Sequence, residues 1–114
     1  MQISERIVGK VAIVEVTGDI VLSDGDVALK DKVSSLRQQG YTRVVVDLGK
    51  VSYMDSAGLG GLIHAYATTK NAGGALKLMR VTKRLKDLLT ITKLVTVFDT
   101  FDDEAAALAS FPVD

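Results

Sequence analysis

The chain has 114 residues, enough for one domain that buries roughly two-thirds of its unfolded surface in a single core. It is 47% hydrophobic and 25% charged, as ordinary globular proteins are, and 14 basic residues balance 14 acidic ones, so no global basic field exists to hold nucleic acid. Cysteine is absent, which excludes a disulfide framework and a thiolate metal site and fits a reducing compartment. No apolar run approaches the ~20 residues of a membrane span, and Met1-Gln2-Ile3-Ser4-Glu5-Arg6 does not read as the start of a secretory signal, so no membrane role and a cytoplasmic location are expected.

Two β-like runs come first, Gln2 to Val8 and Val11 to Thr17, separated by Gly9-Lys10. Glycine at the first of two turn positions suits a type II′ hairpin and predicts an antiparallel pair. A turn-rich stretch follows, Gly18-Asp19-Ile20-Val21-Leu22-Ser23-Asp24-Gly25. Ser23, Asp24 or Asp26 can cap the helix that Leu29, Val33 and Leu36 then describe, and Gly40 is its expected stop.

Arg43 to Leu48 predicts a strand, and its three consecutive valines, Val44 to Val46, point to one covered on both faces, as in a parallel sheet. A helix is expected from Ser56 to Asn71, ending at Gly73-Gly74, with Leu59, Leu62, Ile63 and Tyr66 on its inward face. Ala75 to Arg80 reads as a strand. Thr82 reads as the cap of a short helix with Leu85, Leu88 and Leu89 inward. Val95 to Phe98 predicts a last strand, and Thr100 to Ser110 a last helix with Thr100 and Asp103 in capping-box spacing. The fold class that follows is α/β: one domain spanning 1–114, a mixed, mostly parallel sheet with an N-terminal hairpin, and about four helices.

The chain is organised around Tyr53-Met54-Asp55-Ser56-Ala57-Gly58-Leu59-Gly60-Gly61-Leu62, where a strand gives way to a helix. Asp55 and Ser56 are both residue types that cap a first helical turn. Opposite the apolar face, Ala57, Gly61, His64 and Thr68 form a smooth stripe at helical spacing. Gly58, Gly60 and Gly61 each cost the helix up to about 1 kcal/mol relative to alanine. Either another element packs closely on those glycines, or a partner's backbone docks flat on them.

Catalytic readings fit poorly. Met54-Asp55-Ser56-Ala57-Gly58 resembles a nucleophile elbow, but Met54 stands where that pattern has glycine. The single histidine, His64, lies eight residues along the same helix, about 12 Å from Ser56, too far to be its base. One histidine and no cysteine make a zinc site improbable, and neither a phosphate-binding Gly-Lys loop nor a dinucleotide glycine pattern is present, so no cofactor is expected. Charge is patchy in the last third. Lys77, Arg80, Lys83, Arg84, Lys86 and Lys93 make a basic region, and Asp99, Asp102, Asp103, Glu104 and Asp114 an acidic one. These read as solvated faces or as a docking surface.

Asp55-Ser56-Ala57-Gly58-Leu59-Gly60, after a β-rich segment and before an amphipathic helix, resembles the signature of the STAS-domain anti-sigma-factor antagonists, the bacterial partner-switching regulators. The resemblance covers nearly the whole chain and implies the STAS fold. It implies a regulator without enzymatic activity that binds a serine-kinase anti-sigma factor. That kinase would phosphorylate Ser56, and a PP2C-type phosphatase would reset it. The partner surface so implied takes in Asp19, Asp55, Ser56, Ala57, Gly58, Gly60, Gly61 and His64. Gly18-Asp19-Ile20 fits the family loop after the second strand, but Val21 stands where a second acid is common. Ser56 also has a purely structural reading as a helix cap. With it comes the alternative function, a non-switching subunit of a larger signalling or transport assembly. The glycine-rich face also permits weak self-association.

Overall fold

The computed structural model describes residues 1–22 and 25–112. Chain order runs β1 (Gln2–Val8), β2 (Val11–Thr17), α1 (Gly25–Gln38), β3 (Arg43–Lys50), α2 (Ser56–Asn71), β4 (Ala75–Met79), α3 (Lys83–Ile91), β5 (Thr100–Phe101) and α4 (Glu104–Ala109). The five strands form one sheet in sequential order, β1 antiparallel to β2 and the rest parallel. Gly9 turns the hairpin at φ +60, the sign that the first position of a type II′ turn demands and that glycine meets without strain.

Alternation along the strands sorts the core into two layers. Ala12, Val14, Val16, Val44, Val46, Leu48, Leu76 and Leu78 face α1, α2 and α3 and pack with Leu29, Val33, Leu62, Ala65, Leu85 and Leu89. The opposite face, Val11, Ile13, Val45 and Met79, is covered by Ala107 and Phe111 in and just beyond α4. Val44, Val45 and Val46 are fully buried, so β3 is the doubly covered strand that its valines predict. Asp47, buried in the second half of β3, is met by Arg80 at 2.8 Å and by the Gly49 N–H at 3.0 Å.

Three expectations change. Val95 to Phe98 is not a strand. After α3 the chain turns left-handed at Lys93 (φ +62), and the N–H groups of Leu94 and Val95 both bond the Leu89 carbonyl. That turn drops Phe98 into the core, edge-on to Tyr66 with ring centroids 5.1 Å apart, and β5 forms two residues later. Thr100 therefore belongs to β5 and does not cap α4. The cap is Asp103, which accepts from the Ala106 N–H at 2.8 Å. The basic and acidic regions are also partly consumed by the fold. Lys77 bonds the Ser110 carbonyl and hydroxyl and lies 4.5 Å from the Phe111 ring centroid, and Glu104 pairs with Arg6. Lys83, Arg84, Lys86 and Lys93 stay exposed, and Asp114 lies outside the described residues.

Candidate functional site

The site is built from two loops at the carboxyl ends of β2 and β3, the edge of a parallel sheet where chain ends and helix N-termini converge. Main-chain bonds zip the loops together beyond the strands. Gly18 N–H donates to the Lys50 carbonyl at 3.0 Å, Ile20 N–H to Tyr53 at 3.0 Å, and Asp55 N–H back to Ile20 at 3.3 Å. Ile20 and Met54 thereby make one further parallel rung, and both side chains point into the core. Asp19, exposed at the rim, accepts a 2.8 Å bond from the Ser52 hydroxyl. The Arg84 guanidinium, in the first turn of α3, donates to the Ser52 carbonyl at 3.3 Å.

Asp55 ties the two loops to α2. It is the N-cap, with extended backbone, and its Oδ1 accepts from the Gly58 N–H at 2.7 Å. Its Oδ2 accepts from the Leu22 N–H across the loop boundary at 3.2 Å. The Gly58 N–H, and secondarily the Leu22 N–H, hold the carboxyl below the usual carboxylate range against the opposing effect of burial. The cap reading of Asp55 thus holds, and the cap reading of Ser56 is overturned. Ser56 is the first helical residue, exposed, and its hydroxyl has no hydrogen-bond partner among the described residues. The expected caps of α1 divide likewise. Asp26 lies within the first turn and is buried, while Ser23 and Asp24 lie outside the described residues.

The glycines of α2 separate by what surrounds them. A Cβ on Gly58 would stand 1.9 Å from the Ile20 carbonyl oxygen, and one on Gly61 3.0 Å from Asp26 Cα. Both are buried, so the smooth outward stripe through Gly61 is corrected: Gly58 and Gly61 are spent on packing against the β2–α1 loop and α1. Ile63, expected inward, is exposed instead, because the inward face is set by Leu59, Leu62, Ala65 and Thr69. Gly60 differs from its neighbours: it is exposed, and a Cβ there would meet nothing within 4 Å among the described residues. The open surface of the first half of α2 is therefore Ser56, Gly60, Ile63 and His64, with Ala57 half-buried beside it. His64 and Ser56 stand two turns apart on this surface.

Sequence reasoning missed Leu22 as the second donor to Asp55 and Ser52 as the partner of Asp19. Each pair is 33 residues apart, and only the β2–β3 register joins them. Among the described residues no three His, Asp or Glu side chains gather to hold a metal ion, and no helix is long and apolar enough to cross a membrane.

The class that this geometry defines is a small α/β domain with a helix-start serine framed by two zipped loops. The chain belongs to the STAS domain family, whose profile it matches over residues 2–107. It is 37% identical over 86 residues to the anti-sigma-B factor antagonist of Bacillus subtilis, covering 75% of this chain and 77% of that one. An anti-sigma factor antagonist from Mycobacterium paratuberculosis shares the fold with a TM-score of 0.83 at 20% identity, over 96% of this chain and 92% of that one. The phosphorylated form of SpoIIAA from Bacillus does so with a TM-score of 0.74 at 16% identity, over 95% and 97%.

Proposed function

We propose that this protein is a cytoplasmic, non-enzymatic anti-sigma-factor antagonist that works by partner switching at Ser56. Unphosphorylated, it binds a serine-kinase anti-sigma factor through Ser56, Ala57, Gly60, Ile63 and His64, with Asp19 and Asp55 at the rim. The kinase phosphorylates Ser56, the complex breaks, and a PP2C-type phosphatase resets the protein. The observation that carries this reading is the state of Ser56. Asp55 already caps α2, so among the described residues the exposed Ser56 hydroxyl is left without a partner at the positive end of the helix. Gly60, one turn on, supports it. Among the described residues nothing fills the space beside it, so its glycine costs the helix stability for no internal gain and leaves room for a partner's main chain. A phosphate on Ser56 adds about −1.5 to −2 charges, which the helix dipole tolerates and a closely packed partner surface does not. The sequence relationship to the Bacillus subtilis anti-sigma-B factor antagonist supports the same reading.

The test is affinity capture from the native organism with wild type, Ser56→Ala and Ser56→Asp as baits. The expected result is a protein kinase retained by wild type and Ser56→Ala and absent with Ser56→Asp, which, once purified, transfers the ATP γ-phosphate to Ser56. If all three baits retain the same proteins, the switch is refuted, and the chain is a constitutive subunit of what it captured.

A further inference from the structure

The sheet has two edges, and the fold guards one of them. β5 is two residues long and leads through Asp102-Asp103 into α4, so little of its edge is open. β1, the other edge, runs for seven residues and pairs with β2 in unbroken register from Gln2↔Thr17 to Val8↔Val11. Val8 and Val11 flank a two-residue turn and so exchange main-chain bonds, which makes Gln2, Ser4, Arg6 and Val8 the bonded residues of β1. The N–H and C=O groups of Ile3, Glu5 and Ile7 therefore point outward, and among the described residues no main-chain group pairs with them. Edge strands are ordinarily protected by a bulge, a proline or a charge standing over the edge. β1 has neither bulge nor proline, and its two charges are folded away. Glu5 is drawn to Lys32 of α1 at 3.0 Å, and Arg6 to Glu104 of α4 on the other face. Ile7 is left 43% exposed.

We infer that β1 is the contact between two copies of this chain, paired antiparallel about a twofold axis centred on Glu5 into one continuous sheet. The strand is self-complementary in that register. Ile3 stands opposite Ile7 of the second copy, and Ile7 opposite its Ile3, on the face that carries α1, so the exposed Ile7 gains an apolar neighbour. Because Ile3, Glu5 and Ile7 are the outward residues, each opposing pair exchanges two main-chain bonds, about six in all. Centring the axis on Ser4 or Arg6 instead sets Glu5 against an isoleucine and forms fewer bonds. The two Glu5 side chains meet at the axis, where like charges repel, but each already carries its own Lys32, so the axis holds two neutral pairs rather than two bare carboxylates. Lys32 is thus an assembly residue. The pairing uses the edge two strands away from β3, so the loop that follows β3 and Ser56 at its end stay open on both copies. The inference stands apart from the partner-switching reading and survives its failure.

Sedimentation equilibrium of the purified protein, with amide exchange followed by NMR, tests this. The expected result is a reversible dimer with a dissociation constant of about 100 µM or tighter. Exchange at the Ile3, Glu5 and Ile7 amides is expected to slow as concentration rises, while the Ser4 and Arg6 amides, already bonded to β2, stay unchanged. Ile7→Lys places a charge over the edge, and Ile7→Pro removes an outward N–H without touching the β2 ladder; each is expected to weaken the dimer by about tenfold or more. Ile91→Lys adds the same charge at a side chain 78% exposed on α3 and is expected to dimerise as wild type. Lys32→Ala leaves the two carboxylates facing each other and is expected to weaken the dimer by about threefold or more, and Glu5→Gln in that background to restore it. A protein still monomeric at about 1 mM, or a dimer that Ile7→Lys leaves within about twofold of wild type, overturns the inference. So does protection of those amides that arises only when a different protein is added, which would make the edge a site for a foreign strand.

Discussion

Replacing Gly58 and Gly60 with alanine separates a glycine that the fold requires from one that it does not. At position 58 the new methyl would stand 1.9 Å from the Ile20 carbonyl oxygen and 2.7 Å from its carbon. The obstacle is main chain, and a Cβ has no rotamer with which to escape. To open that gap to 3.0 Å the Ile20 peptide must retreat by about 1.1 Å. The movement pulls on the Asp55 N–H bond to Ile20 and on the Leu22 N–H bond to Asp55, each worth about 1 kcal/mol, and loosens Ile20, which is fully buried. With some loss of apolar packing, the expected cost is about 3–5 kcal/mol, against a gain of about 1 kcal/mol in helix propensity. Since whole domains are stable by only about 5–15 kcal/mol, Gly58→Ala should lower the melting temperature by about 10–20 °C. Gly60→Ala meets nothing and should gain about 0.5–1 kcal/mol, while weakening the kinase complex. Urea unfolding followed by circular dichroism measures both. A Gly58→Ala cost below about 1 kcal/mol, or a Gly60→Ala loss of stability, would refute this account of the α2 glycines.

Ser56→Ala removes no hydrogen bond among the described residues and should leave the unfolding free energy within about 0.5 kcal/mol of wild type; a loss near 1–2 kcal/mol in the same assay would reinstate the serine as a cap. Asp55 has a folded pKa depressed below its unfolded value, so the stability its charge contributes is full above about pH 4 and is lost as pH falls through the lower folded value. Thermal melts of Asp55→Asn should therefore lie below wild type at pH 7 and converge with it under acid conditions, and a gap that widens toward acid would contradict the sign. Arg80→Met leaves Asp47 buried with only the Gly49 N–H among the described residues and should cost about 1–2 kcal/mol in denaturant unfolding, discounted because the Arg80 side chain is 47% exposed. Adding Asp47→Asn should recover part of that loss, and a purely additive double mutant would show that the pair is uncoupled.

Sequence alone settled the parts of this protein that local periodicity decides. Gly9-Lys10 between two alternating runs is enough to make a hairpin, and Val44-Val45-Val46 enough to make a doubly covered strand. In each case the interacting groups lie within a few residues, or the side-chain pattern follows one element's own period. Val95 to Phe98 shows where that stops: its β-forming residues were outweighed by the left-handed end of α3 and by the place Phe98 takes against Tyr66. Tertiary structure alone decided which α2 glycines are packed and which is open, because that depends on where Ile20 and Asp26 arrive from another segment. It also decided that Ser56 is free of the capping role and that Leu22 and Ser52 belong to the site. Those contacts cross 33 residues of chain, and the register of β2 on β3 sets them, which no spacing within either loop encodes.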